Sequence, residues 1–442
     1  MSRKGLDAYV KRGSLLFNII LTFFNKLLSE SRKEIRKFAK KLNIMRAITI
    51  HNFGPISDSS RMEIMPLTIL CGQQGCGKST ITKLISTCSW IEKALVRQQV
   101  STKYAMANNR FQTTYCKYHY IDNFFRKDSY IKYEGEAFTI EYRDGNLEIV
   151  PKKHGDYKMP KIMYVPAERN FMVAIEQAEK IASLPPSLRT LQEEYRKALN
   201  EAEDFTLPIN GFSVQYDKLN RIAWLKGEGF RVRVHEAASG LQSVIPLVLV
   251  TRNLSKQIKD GTAHPLSSEE KEKLHKEVED IYKMSLTEEL RNALIMRLNQ
   301  RYENVCLWNI VEEMEQNLYP SSQMDILMYL LAVFNQFEGN ELILTTHSPY
   351  ILDYVTLAAK AGMLKEQFAN DEVKLAKLNS IIPIESALEQ GSFAIYQITS
   401  KGKVQPLALP SGLPEDNNYL NSLLENTNMT FGNLLELEED ER

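Results

Sequence analysis

The stretch GQQGCGKST, Gly72 to Thr80, restricts this chain more than any other. It fits G-x-x-x-x-G-K-[ST], a pattern whose glycines let the backbone turn so that successive N–H groups face one phosphate. The turn needs a strand leading in and a helix leading out, because the helix N-terminus adds the positive end of its dipole. Both are predicted. "AITIHNF" and "RMEIMPLTILCG" read as two strands before the loop, and Ile81, Leu84, Ile85, Cys88 and Ile91 keep helical spacing after it. In such a loop Gly72, Gln73, Gln74, Gly75, Cys76 and Gly77 form the cradle. Lys78 faces the β- and γ-phosphates, Ser79 is a Mg2+ ligand, and Thr80 bonds the α-phosphate. ATP and Mg2+ are therefore the expected cofactors.

Three later segments add chemistry. "CLWNIVEEMEQNLYP" is an apolar strand ending in Glu312 and Glu313. Adjacent acids at a strand end point opposite ways. Glu312 then suits the Mg2+ shell and Glu313 the attacking water, with a solvated acidic helix start as the plainer alternative. "LILTTHSPYIL" puts His347 at the carboxyl end of another buried strand, where ligands bind in open α/β sheets. There it serves a γ-phosphate or the attacking water, or is merely structural. "AASGLQS" sets Ser239 and Gly240 between a strand and an apolar helix. Ser239 is either an N-cap or part of a second helix start, one that meets a nucleotide held by a second copy. In "PAER", Glu168 and Arg169 follow a further strand, and Gln98 or Gln99 is a weaker candidate for the site.

Composition excludes little. Lys+Arg and Asp+Glu are both 55, so no global field draws in nucleic acid or an anionic membrane. The five cysteines show no C-x-x-C spacing and read as reduced thiols of a cytoplasmic protein. Residues 1–44 differ from the rest, with eleven Lys/Arg against three Asp/Glu and the apolar run GSLLFNIILTFFNKLL. That run is too short and too interrupted for stable membrane insertion. It reads as a packing helix, an amphipathic surface helix, or the product of a start upstream of the natural one at Met45.

Taken in order, the four motifs resemble the ABC-class ATPase head shared by SMC-like, RecF-like and OLD-like proteins. "GQQGCGKST" is similar to the Walker A of that class, "ASGLQS" to its signature, "EEMEQNLYP" to the D-E-P-E-x-H-L-H-P Walker B of the OLD and RecF-like branch, and "TTHSPYIL" to its T-H-S-P switch. Glu312 stands where the branch has Asp, Met314 where it has Pro, and Asn317 and Tyr319 where it has His. The resemblance covers about 45–400. It implies an α/β fold, a P-loop NTPase head with a mixed or parallel sheet core flanked by helices, an antiparallel β part and helical insertions.

The expected organisation is a basic extension over 1–44 and the first half of the head over 45–170, including a hairpin with Asp144-Gly145 in its turn. A helical insertion follows over 171–215, the signature segment over 216–252, and a charged helical insertion over 253–302 with a cap at Ser267 and Glu270. The second half of the head spans 303–400 and a C-terminal tail 401–442, whose last residues, LELEEDER, are expected to form a frayed acidic end. No D-x-D follows His347, so no nuclease domain is assigned, and no C-x-x-C hook or long heptad arm points to a tethering protein. The resemblance then implies a stand-alone ATPase, similar to the PARIS or Septu component of bacterial defence systems. Such a protein dimerises on ATP and assembles or gates a separate effector. A DNA-binding repair ATPase and a nucleotide sensor with little turnover are the alternatives.

Overall fold

The computed structural model describes residues 46–152, 157–175, 181, 183–262 and 268–440. The expectations for 1–44 and for the cap at Ser267 lie outside them.

The chain opens with β1 (Arg46–Phe53) and β2 (Ile56–Ile64), then β3 (Leu67–Gly72), which runs into the glycine loop and α1 (Lys78–Val96). Next come β4 (Phe125–Glu134), β5 (Phe138–Arg143), β6 (Asn146–Pro151) and β7 (Pro160–Val165). Helix α2 (Pro186–Glu201) precedes a meander of β8 (Phe205–Thr206), β9 (Ser213–Asp217), β10 (Ile222–Gly227) and β11 (Phe230–Arg233). Helices α3 (Ser239–Lys259), α4 (Ser268–Lys283) and α5 (Glu288–Gln300) follow. The last part is β12 (Cys306–Glu312), α6 (Pro320–Phe334), β13 (Glu341–Thr346), α7 (Pro349–Gln367), α8 (Glu372–Asn379), β14 (Phe393–Ile398), β15 (Val404–Pro406) and α9 (Tyr419–Asp440).

Six strands make the central sheet in the order β15-β14-β3-β13-β12-β7. All pairs are parallel except β14–β15 at the edge. Parallel strands are buried on both faces, so their apolar runs are continuous rather than alternating. The two faces still separate by residue parity. Ile69, Met163, Val165, Leu307, Leu342, Leu344 and Ile395 pack with α2, α3, α6 and α7 in one core. Leu70, Tyr164, Ile310, Ile343 and Tyr396 pack with α1 and the antiparallel sheet β2-β1-β4-β5-β6 in the other.

Three expectations change. "RMEIMPLTILCG" is not one strand, for it breaks at Met65-Pro66, with β2 in the antiparallel sheet and β3 in the central one. The apolar helix after the signature runs on to Lys259, past the expected boundary at 252. Of the acidic end expected to fray, the described part is helical, for α9 runs to Asp440, and before it β15 extends the central sheet. The hairpin at Asp144-Gly145 is as expected, with both residues at positive φ, as a primed turn demands.

Arg46, at the start of β1, ties the two sheets together. Its guanidinium bonds Glu341 of β13, Ser89 Oγ of α1 at 2.6 Å and Tyr133 Oη of β4 at 3.0 Å, and lies 3.7 Å from the ring centre of Trp308 in β12. A pair so enclosed is weak as net stabilisation, but removing one partner strands the other charge. Arg46→Ala should lower stability by about 3–5 kcal/mol, read from urea unfolding. Arg46→Met with Glu341→Leu should recover most of that loss.

Candidate active site

The carboxyl ends of β3, β13 and β12 lie side by side, and each is followed at once by a segment singled out from the sequence. After β3 the loop crown, Gln73, Gln74 and Gly75, is exposed, while Cys76, Gly77, Lys78 and Thr80 are buried and Ser79 is half-buried. Gly77 cannot be replaced without strain. Its φ is +111°, and a Cβ there would come within 2.3 Å of Ile56 Cδ1. The loop is thus wedged against β2, and the first N–H groups of α1 are left facing outward with no side-chain cap.

Lys78 curls over its own loop. Its ammonium donates to the carbonyls of Gly72 and Gln73, both at 2.9 Å, and lies 3.3 Å from His347 Nδ1. Burial lowers its pKa, against which the Cys76 thiol and the carboxylates of Glu313 and Glu315 act. His347 Nε2 lies 3.0 Å from Glu313 Oε1. An ammonium only donates, so Nδ1 accepts, and the neutral imidazole carries its proton on Nε2 and donates it to Glu313. The three motifs form one hydrogen-bonded chain, Lys78 to His347 to Glu313. His347, expected to face a phosphate or water, spends its one donor on Glu313 here. That bond, ahead of burial, which opposes it, and of the nearby Lys78 and Arg169 charges, holds the Glu313 carboxyl below its usual range.

Glu312 is the last residue of β12, while Glu313 lies beyond it at positive φ, outside the strand alternation expected for the pair. Glu312 is buried, with Oε2 accepting from Ala167 N at 3.3 Å and Oε1 making no hydrogen bond of ordinary geometry, although the buried Tyr164 hydroxyl lies beside this carboxyl. A buried carboxylate oxygen without a partner is costly unless something else meets it. A buried oxygen of that kind is a donor a hard divalent cation takes, and the half-buried Ser79 hydroxyl is a second oxygen of the same type. Glu313 has φ +44°, a region that side chains adopt under constraint. Its N–H is held by Thr345 O at 3.0 Å and Thr345 Oγ1 at 3.1 Å.

Sequence reasoning missed Glu315. Its Oε1 accepts from His347 N at 2.7 Å and Thr346 Oγ1 at 2.8 Å, which fixes the exit from β13. The third acid of EEMEQN was the available signal. Also missed was the bond from Gln73 Nε2 to Tyr419 Oη, which brings the start of α9 to the glycine loop. Nothing in the spacing from 73 to 419 announces it.

Two candidates leave the site. Gln98 and Gln99 sit past the far end of α1, roughly 30 Å along the helix axis from Lys78. There Gln99 bonds Glu270 of α4 at 2.6 Å, and Gln98 O accepts from Lys273 at 2.7 Å. Ser239 is not the N-cap. Ala238 holds that position, and Ser239 is the exposed first residue of α3. Gly240 is buried, and a Cβ on it would meet Asn317 O at 2.5 Å, so α3 starts against the loop that follows Glu313. Cys71 is inert, because burial pushes its thiol up to about 12.

Residues 152–352 match the family model of the AAA ATPase domain. The match spans under half of the chain; it includes Glu312, Glu313 and His347 and leaves out the glycine loop. No curated protein matches the chain. Solved structures similar to it include an SMC head bound to the C-terminal winged-helix domain of ScpA (10% identity, TM-score 0.39, 83% of this chain and 98% of that one). The SMC head domain of Thermotoga maritima is similar too (10%, 0.33, 70% and 91%), as is the recombination mediator RecF with ATP (10%, 0.32, 83% and 98%). Among the described residues no helix is long and apolar enough to cross a membrane.

A carboxyl whose folded pKa is depressed stabilises the protein above its unfolded value, and that contribution fades as pH falls through the folded one. For Glu313 the window lies below about pH 4.3, the unperturbed glutamate value. In wild type the urea midpoint should fall more steeply across that window than in Glu313→Gln, where the His347 bond no longer depends on a titrating group.

Proposed function

We propose that this chain is a Mg2+-dependent ATPase whose two copies close head-to-tail on ATP, and that the closure assembles or gates a separate effector protein. The observation that carries the proposal is the chain of bonds from Lys78 through His347 to Glu313, built where three parallel strands end. A cation, a general base and an orienting histidine are what phosphoryl transfer to water needs, since its transition state asks for positioning and charge rather than covalent help.

The residues take these roles. Lys78 exchanges its two loop carbonyls for the β- and γ-phosphates, and the outward N–H groups of the loop and of α1 hold the β-phosphate. Ser79 and Glu312 fit Mg2+, which when bound neutralises phosphate charge, and Thr80 bonds the α-phosphate. Glu313, kept ionised at neutral pH, takes the proton of the attacking water, and His347 holds its carboxylate in line. Ser239 and Gly240 face the γ-phosphate held by the other copy. The exposed start of α3 supports this, since Ser239 is not occupied in capping its own helix. Two-fold symmetry would use each surface twice and give two composite sites.

The assignment to antiphage defence, in the cytoplasm and beside a distinct effector, rests on the resemblance of the four motifs. The alternative of DNA clamping has less support, because the chain has no net charge. A slow-turnover nucleotide sensor is favoured by one observation. Glu312 is a methylene longer than aspartate and already leans on Ala167 N, so it meets the metal shell from a displaced position.

Glu313→Gln should keep ATP affinity and lose turnover by about 10²-fold, the size of a general-base effect. In that background, sizing chromatography should show a dimer with ATP and not with ADP. Adding Ser239→Arg, which sets a bulky charge where the γ-phosphate docks, should leave it monomeric. If Ser239→Arg in the otherwise wild-type chain hydrolyses ATP normally, α3 does not complete a second site.

A further inference from the structure

Arg169 is the largest fully buried side chain among the described residues, with 0% exposure. It follows β7 in a short helical turn, and no carboxylate pairs with it directly. Instead its guanidinium grips main chain from three places. Nε donates to Ser243 O of α3 at 3.0 Å. One terminal nitrogen donates to Glu312 O at 2.7 Å and Pro166 O at 3.3 Å, and the other to Glu313 O at 2.7 Å. Burial lowers its pKa to about 10, with Glu315, Glu313, Glu312 and Glu168 opposing, so it is charged at neutral pH. Its neighbour Glu168 is exposed and makes no such contact with the site.

The choice of acceptors is informative. A buried guanidinium beside carboxylates would ordinarily take one in a bidentate pair. Here it takes the carbonyls of Glu312 and Glu313 and leaves both carboxylates to other partners. Between those residues the backbone turns from a strand to the positive φ of Glu313, so the carbonyls of these two successive residues set the directions in which the two acids leave the chain. The third acceptor lies on another element. Ser243 is in the second turn of α3, three residues before Pro246. Gly240, one turn earlier, packs on Asn317 O of the loop leaving Glu313. The start of α3 and the two acids are thus held in fixed register, by Arg169 on one side and by the close approach of Gly240 on the other.

We propose that Arg169 is a positioning residue. It sets the backbone turn that aims Glu312 and Glu313, and it locks that turn to the helix start carrying Ser239. In the two-copy arrangement α3 contacts the partner's nucleotide, so one side chain connects the acids of its own site to the contact made with the other. The inference rests on the ATPase reading given above.

The test is Arg169→Lys, which keeps a positive charge and loses the planar fork needed to reach four carbonyl groups at once. ATP affinity, measured on the full chain with a fluorescent ATP analogue, should stay within about threefold of wild type, because Lys78 and the loop are untouched. Turnover should fall by about tenfold or more, the loss expected when reacting groups are misaligned by a fraction of an ångström. Ile140→Ala, a core substitution in the antiparallel sheet far from these contacts, supplies the comparison for general destabilisation. It should lower the thermal midpoint at least as much while turnover at a temperature well below that midpoint holds. Wild-type turnover in Arg169→Lys, or an equal loss in Ile140→Ala, would overturn the positioning role and leave the ATPase reading intact. Absence of ATP binding and turnover in the wild type would remove both.

Discussion

β13 lies between the strand that feeds the glycine loop and the strand that ends in Glu312. The site depends on that adjacency. Lys78, His347 and Glu313 come from segments up to 269 positions apart, yet they meet because parallel strands in register end at one edge. Thr345 of β13 stands opposite Leu70 of β3 on one side and Glu312 of β12 on the other. A shift of one residue in either pairing would turn His347 away from the loop and exchange the two packed faces of the strand. Burial on both faces makes such a slip expensive, so the hydrophobic packing that builds the sheet also fixes the geometry of the polar edge.

That edge concentrates charge that the rest of the molecule avoids. Arg46 and Glu341 neutralise each other inside the fold. At the strand ends, by contrast, Glu312 keeps a buried oxygen that makes no hydrogen bond of ordinary geometry, Glu313 sits at strained φ, and Lys78 is satisfied mainly by carbonyls of its own loop. Unpaired and strained groups persist only where the surroundings over-determine them, and they gather where a ligand is to be met. Arg169 and Glu315 supply the determination. The arginine fixes the carbonyls after β12, and the glutamate fixes the N–H after β13.

Much of this was legible in the sequence, for physical reasons that differ by element. The glycine loop is a local device, so its pattern alone predicted β3, the turn and α1. The acid pair at the end of an apolar run marked the end of β12, but the positive φ of Glu313, which breaks the alternation of the strand, left no mark in the sequence. Position effects that span the fold were not legible. The break at Met65-Pro66 looks like a single strand until two sheets compete for its halves. Gln98 and Gln99 lie close to the loop in sequence, and a straight helix carries them to the far end. Arg169 was visible as a charged residue after an apolar strand, but its role depends on four carbonyl groups, and backbone acceptors leave no trace in residue identity. The contact of Tyr419 with Gln73 joins segments whose composition shares nothing.

The central claim is that the edge formed by β3, β13 and β12 binds a nucleotide triphosphate through Lys78. Calorimetric titration of the full chain with ATP in the presence of Mg2+ tests it most directly, with Lys78→Ala as the paired protein. The account predicts saturable one-to-one binding by the wild type and none by Lys78→Ala at the same concentrations, with both proteins equally folded by circular dichroism. Equal affinity in the two proteins would contradict it.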